Sequence, residues 1–371
     1  MPESDLLTRA DALRIFEEAL RAAEKLGVRE VEVTLGVTAS ALTRFANNAI
    51  HQNVAERRGH LSVRVIADQR TARASTNRME EGAVAGVVEQ AVALARAQRP
   101  DPELPPLAEP AEITEVDRWV AATAASTPAQ RAASVAEAIR VAESAGQTAA
   151  GIYSISQAVE AVLNSRGVFA YHAETLGQFS ITAMADDSSG WAKASSPDVT
   201  RISPLELAER AVSKAAFSQS PRELPPGRYT VILEPSAVQD LAGQMFWDFS
   251  ATALRDQRSF LNGRLGEKVF GENITITDDV HHPLQSGPPF DAEGVPRRRL
   301  KLVERGVPRD VAWSRAAAAR EGRAPTGHGF PVPNEYGEAP LNIVMGGGST
   351  SLEEMIASTE RGILVTRLWY I

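Results

Sequence analysis

Residues 43–77 and 161–195 match without a gap at a constant offset of 118. Ala55-Glu56 aligns with Ala173-Glu174, Gly59 with Gly177, Ser62 with Ser180 and Ala67-Asp68 with Ala185-Asp186. The apolar positions keep step as well: Phe45 with Leu163, Ile50 with Val168, Leu61 with Phe179, Val63 with Ile181 and Ile66 with Met184. Such a repeat restricts the fold before any element is assigned, because each copy is one supersecondary unit with an apolar face to bury. Segments of helical period flank both copies, 8–26 and Met79–Gln98 around the first, 127–144 and about 204–217 around the second. Two helix–strands–helix units, over about 29–98 and 147–217, predict one shared sheet.

In the first unit Leu13, Phe16, Leu20 and Ala23 form an apolar stripe closed by Gly27. Arg29–Leu35 alternates as a half-buried strand does, and Leu42–His51 and His60–Ala67 read as two more. Ala83, Val87, Gln90-Ala91 and Leu94 give the face of the second helix. Pro100–Pro110 contains five prolines and is predicted to be an extended linker. A second proline-rich joint, Pro221–Pro226, divides an N-terminal α+β domain (1–220) from a strand-rich C-terminal domain (227–371). Strands are predicted there at 229–233, 273–277, 299–304, 307–313, 341–345 and 363–371. The third and fourth form a hairpin around Arg305-Gly306, and a short helix spans Ser314–Glu321. Ile363–Ile371 is a strong strand without cover for its apolar side chains, so the C-terminal domain is expected to be incomplete at its end.

Composition removes several function classes. There is no cysteine, which excludes disulfides, thiolate metal ligands and a cysteine nucleophile. A net charge of −8 disfavours a duplex-binding surface, since neutralising phosphates needs a basic face. No apolar run is long enough to span a bilayer and no signal sequence opens the chain, so the expected address is the cytoplasm, with neither membrane nor nucleic acid as partner.

The stretch Thr230–Asp279 carries the functional reading. An apolar run ends in Glu234-Pro235, and proline suits the first helical turn, where its missing N–H has no partner to lose. A helix is predicted from Ser236 to about Phe249, with Val238, Leu241, Ala242, Met245 and Phe249 on one side. Asp240, Gln244 and Asp248, four apart, line a polar stripe on the other. Arg264-Leu265-Gly266 follows, then Asn273–Thr277 closed by Asp278-Asp279.

This order resembles the core of the TldD/PmbA family, the TldD and TldE subunits of a metallopeptidase. There a V-V-L-x-P strand end leads into a helix carrying H-E-x-x-x-H, and a G-R-I-G element and a strand ending in D-D come next. Laid on that pattern from Val231, Gly243 stands where the first His belongs, Gln244 where the Glu belongs and Asp248 where the second His belongs. The resemblance implies a TldE/PmbA-type subunit without metal or catalytic residues, zinc being held by a TldD-type partner. It also implies a heterodimer that degrades or trims unfolded peptides, with this chain walling the cavity. The family's older description as a modulator of DNA gyrase gains nothing from so acidic a chain.

Beside the helix stripe, the candidate cavity-lining residues are His281, next to His282, and His328 in Gly327-His328-Gly329. Neighbouring residues on an extended chain point to opposite sides, so His281 and His282 do not readily share an ion. Gly346-Gly347-Gly348-Ser349-Thr350 is read as a tight turn into a helix capped by Thr350 and Glu353. Two other functions stay open on the residues alone. One is a self-sufficient hydrolase with a site around Asp248, His281 and His328. The other is a homo-oligomeric peptide-binding module.

Overall fold

The two repeat units complete one six-stranded antiparallel sheet. The structure is a computed structural model that describes residues 4–80 and 82–368. Its first unit runs α1 (Arg9–Lys25), β1 (Glu30–Ala46), β2 (Ala49–Ala67), β3 (Arg70–Thr76) and α2 (Ala83–Ala97). A single turn, α3 (Ala121–Ala124), precedes the second unit, which comprises α4 (Pro128–Ser144), β4 (Thr148–Asn164), β5 (Phe169–Met184), β6 (Ser189–Ser196) and α5 (Pro204–Phe217). The strand order is β3-β2-β1-β4-β5-β6, so the two copies meet back to back along β1 and β4. The offset of 118 carries into three dimensions. Val33 pairs with Val63 in the first copy, and Gly151 with Ile181 in the second.

Several predicted boundaries move. Arg29–Leu35 and Leu42–His51 are not separate strands: β1 is continuous, and Asn47-Asn48 make the turn into β2 with φ of 50° and 58°. Nothing between Gly36 and Ala41 breaks the chain, and ladders on both sides hold it extended despite its small side chains. Asparagine tolerates the left-handed backbone that a two-residue hairpin turn requires. Helix α2 starts at Ala83 rather than Met79, after Gly82 at φ 85°. On α1 the buried row is Ala12, Ile15, Ala19 and Ala23, while Leu13 is 40% exposed. Alanines let a helix lie close on a sheet, and the larger side chains flank that contact. The same closeness recurs at Gly190, where a Cβ would sit 2.0 Å from the carbonyl oxygen of Ala211 in α5.

Helices α1 and α2 cover Val33, Leu35, Leu61, Val63 and Val65, and α4 and α5 cover Tyr153, Phe179, Ile181 and Ala183. The linker Pro100–Pro110 has no regular structure, as its prolines predict, yet it is pinned. Leu107 and Ala108 are buried, and Asn164 donates to the Ala108 carbonyl at 2.9 Å.

The remainder contains β7 (Thr230–Leu233), α6 (Pro235–Gly243), α7 (Ala251–Arg255), β8 (Ile276–Asp278), β9 (Leu300–Glu304) and β10 (Val307–Pro308). After these come α8 (Arg315–Arg320), β11 (Ile343–Met345), α9 (Leu352–Ala357) and β12 (Gly362–Val365). Strands β10-β9-β8-β11 form an antiparallel sheet, and β12 pairs in parallel with β7. The Arg305-Gly306 turn is present, but its second strand is only two residues long. Helix α9 is capped by Ser351 with Glu354, one residue beyond the predicted pair Thr350 and Glu353. Of the predicted last strand, Trp369–Ile371 lie outside the described residues. The fold is α+β, as the alternation of periods in the sequence predicts. This C-terminal half lies on the sheet face opposite the helices, where Phe290 packs on Val162 and Ala170.

Candidate functional site

Helix α6 stops at Gly243, and Gln244–Asp248 continue as a 3-10 turn. Its tighter winding takes Asp240, Gln244 and Asp248 off the common line that α-helical spacing predicts. The cause is apolar: Phe246 and Phe249, three apart, both enter the core with ring centroids 6.2 Å apart. Leu241, predicted on the apolar face, is 50% exposed instead. Asp240 accepts from the Leu368 amide at 2.9 Å, whereas Gln244 is exposed. Partial burial raises the Asp248 carboxyl above its usual range, against the Phe260 amide and the Arg258 charge.

These residues do not suit zinc. Gly243 has no donor, although an added Cβ there would meet nothing within 4 Å. A glutamine is no proton acceptor at neutral pH, and a catalytic zinc needs three close donors. Among the described residues no group of three or more His, Cys, Asp or Glu could hold a metal ion.

The histidines separate. His281 is exposed, and its amide donates to Asp279 at 3.0 Å. His282 accepts at Nδ1 from the Leu284 amide. His328, a candidate cavity-lining residue set between two glycines, is 1% exposed. Its Nε2 lies 3.0 Å from Asp278 Oδ1 and its Nδ1 3.0 Å from the Thr326 hydroxyl. Asp278 Oδ2 accepts from the amides of Leu341 and Asn342 at 2.7 and 2.8 Å. Burial alone would raise Asp278. The bonds from His328 and Asn342, with the charge of Arg297, hold it below the usual carboxylate range.

Around this pair runs a buried polar seam between the sheet and the C-terminal half. Arg64, fully buried on β2, meets Glu293 at 3.0 Å and Glu32 at 3.6 Å. Arg73 reaches Glu32 at 2.5 Å and the Val332 carbonyl at 2.7 Å, and Arg315 meets Glu293 at 2.9 Å. On the second copy Arg118 donates to the carbonyls of Gly287 and Val280, while Glu174 accepts from the Gly287 amide at 2.7 Å. Desolvation raises Glu32 despite its two arginines. Burial, with Glu293 alongside, pushes Asp291 up to about 7 against three amide donors, those of Glu293, Val295 and Gly329. Arg64, Arg73, Arg118 and Glu174 engage neighbours across the contact, while Glu32 and Asp291 are held by groups of their own half. The seam joins the two halves rather than exposing a reacting atom.

Except for Asp278 and His328, sequence reading missed the members of this seam. Glu32, Arg64 and Arg73 alternate with apolar residues and look like the wet face of a sheet. The available signal was the loop Gly287–Pro296, which places two acids among glycines and prolines.

Three models of one metallopeptidase family match in order along the chain. PmbA/TldA metallopeptidase domain 1 covers 31–95, the central domain 106–216 and the C-terminal domain 226–371. The chain belongs to the PmbA/TldD family. Among curated relatives, an uncharacterized protein of Methanocaldococcus jannaschii is 32% identical over 45% of this chain and 40% of its own length. A metalloprotease of Methanothermobacter thermautotrophicus is 28% identical over 57% and 49%, so each match spans less than half of the relative. Metalloprotease PmbA of Escherichia coli O157:H7 is 24% identical over 98% of this chain and 82% of its own. Of solved structures, TldE from Thermococcus kodakarensis superposes with a TM-score of 0.84 at 25% identity, covering 96% of this chain and 83% of that one. A Thermotoga maritima protein described as a candidate modulator of a DNA gyrase gives 0.87 at 24% identity over 96% and 82%, which establishes the shared fold. Among the described residues no helix of this PmbA/TldD-family chain is long and apolar enough to cross a membrane.

Proposed function

We propose that this PmbA/TldD-family chain is the non-catalytic, metal-free subunit of a cytoplasmic TldD/TldE-type metallopeptidase. A metal-bearing TldD-type partner supplies zinc and the reacting groups. Unfolded peptides are trimmed in a cavity that this chain helps to wall. One observation carries the reading: in a family named for metallopeptidase activity, the helix end at Gly243–Asp248 offers glycine, an exposed amide and one carboxylate. The likeness to TldE over most of the chain agrees with it. The chain's own work is then structural. The seam fixes the C-terminal half on the sheet, so that whatever surface meets the partner is held rigid.

The test is metal analysis of the purified chain, followed by a peptide-cleavage assay alone and with a co-purified TldD-type protein. Metal well below one equivalent, no turnover alone, and zinc-dependent turnover of the pair are expected. Stoichiometric zinc with turnover by the isolated chain would overturn the reading.

A further inference from the structure

The two halves of the sheet differ along one edge. On the outer side of β2, β3 pairs only with Leu61–Ala67. From Ile50 to His60 that side has no neighbouring strand, and among the described residues β1 alone bonds to its main chain.

The same edge of the second copy is closed. Strand β6 pairs with Gly177–Met184, and just beyond it Arg118 forms a parallel bridge to Glu174. The Thr175 amide donates to the Arg118 carbonyl at 3.0 Å, and the Val120 amide to the Thr175 hydroxyl at 3.0 Å. A piece of extended chain thus serves β5 as an added strand. At the offset of 118, Thr175 corresponds to Arg57 and Ala173 to Ala55. Both copies keep the same register with their neighbours, so the outward amides of β2 belong to Asn53, Ala55 and Arg57.

The chemistry of the closing segment is also on view. The closing residue is opposite in charge to the edge it meets, Arg118 lying beside Glu174. The open edge has the opposite sign. Between Ile50 and His60 stand Arg57, which donates to the Leu6 carbonyl, Arg58, which meets the sole acid Glu56 at 2.9 Å on the exposed surface, and two histidines, on a chain of net charge −8. A groove of about 410 Å³ adjoins the edge at Ala55–Arg57 and runs past Ala39 and Ala41 to Ile155, with small side chains that leave room for those of another strand.

We propose that the outer edge of β2, over about residues 51–59, binds an extended acidic segment of a partner polypeptide as an additional parallel strand. Main-chain bonds supply the affinity, the groove takes alternate side chains, and Arg58 supplies the preference for acid. The inference is independent of the subunit reading, because an active enzyme could present the same edge.

The probe is a fluorescein-labelled Glu/Thr/Val peptide of about a dozen residues, titrated against the intact chain by anisotropy. Its companions are the same peptide N-methylated at alternate amides and a version with Lys for Glu. Saturable binding of the acidic peptide is expected, weakening with salt and at least about tenfold weaker after N-methylation or in Ala55→Pro. Proline at 55 lacks an amide that faces away from β1, so the sheet survives, as circular dichroism would verify. Arg58→Glu, on the surface, tests the charge preference without touching the backbone and is expected to weaken the acidic peptide by a similar factor. Equal affinity for the N-methylated or lysine peptide, or no saturable binding of the acidic one, overturns the proposal. So does a homodimer in sedimentation that Ala55→Pro dissociates, since the edge would then belong to a second copy.

Discussion

The two repeat units share a register but meet the C-terminal half with different chemistry. On the sheet face away from the helices the first copy places Glu32, Arg64 and Arg73. At the matching positions the second has Ala150, Thr182 and Trp191. Arg64 is closed over by Glu293, a loop carboxylate. Trp191 instead receives the Arg367 guanidinium 4.6 Å from its ring centre, while Lys214 of the neighbouring helix meets Glu234 at 2.7 Å. The helix-facing residues had to stay apolar in both copies to bury one continuous core. The opposite face was free to diverge, and each copy adapted to the part of the chain laid on it. A duplicated fold therefore keeps its register through one face and acquires its partners through the other.

The sharpest way to break this contrast is Glu293→Ala. It leaves Arg64 buried without its nearest partner and removes that of Arg315, at an expected cost of about 3–5 kcal/mol in chemical denaturation. A loss below about 1 kcal/mol would mean that the first copy docks without its charges. Next comes the proline pair. Thr175→Pro, which removes the amide bonded to the Arg118 carbonyl in the second copy, is expected to cost about 3 kcal/mol. Arg57→Pro, at the same place in the first copy, is expected to cost under about 1 kcal/mol. Equal effects would refute the difference between the edges. Glu234→Ala, which removes the second copy's ion pair, is expected to cost about 1–2 kcal/mol.

The most gradual effect is a slope with pH. Asp291 rises from 3.8 to about 7 on folding, so its contribution is full below 3.8 and is lost as pH climbs towards 7. Glu32, raised by burial, acts in the same direction. Asp278, held low, acts oppositely: its contribution is present above 3.8 and disappears as pH falls through its folded value. Between pH 4 and 7 the Asp291 share reaches at most about 1.4 kcal/mol per unit. Asp291→Asn is expected to flatten the decline, whatever it does to absolute stability. An unchanged slope in that variant would assign the pH dependence elsewhere.

Much of the architecture was legible in the linear chain, because its signals are local or periodic. The offset of 118 predicted a shared sheet, and the paired helices followed from their apolar spacing. Boundaries failed where a contact distant in sequence outweighed a local preference. Gly36–Ala41 is a strand because β2 and β4 flank it, and α6 breaks where Phe246 and Phe249 both turn inward.

The site divides in the same way. Sequence alone determined that the helix end carries Gly243, Gln244 and Asp248, since the identity of a donor atom does not depend on folding. Only the tertiary structure decided that His328 is locked against Asp278, that Arg64 is buried against Glu293, and that one β edge is closed while its twin is open. Those outcomes depend on which surfaces are removed from water when segments 50 to 229 residues apart come together, and no local pattern records that.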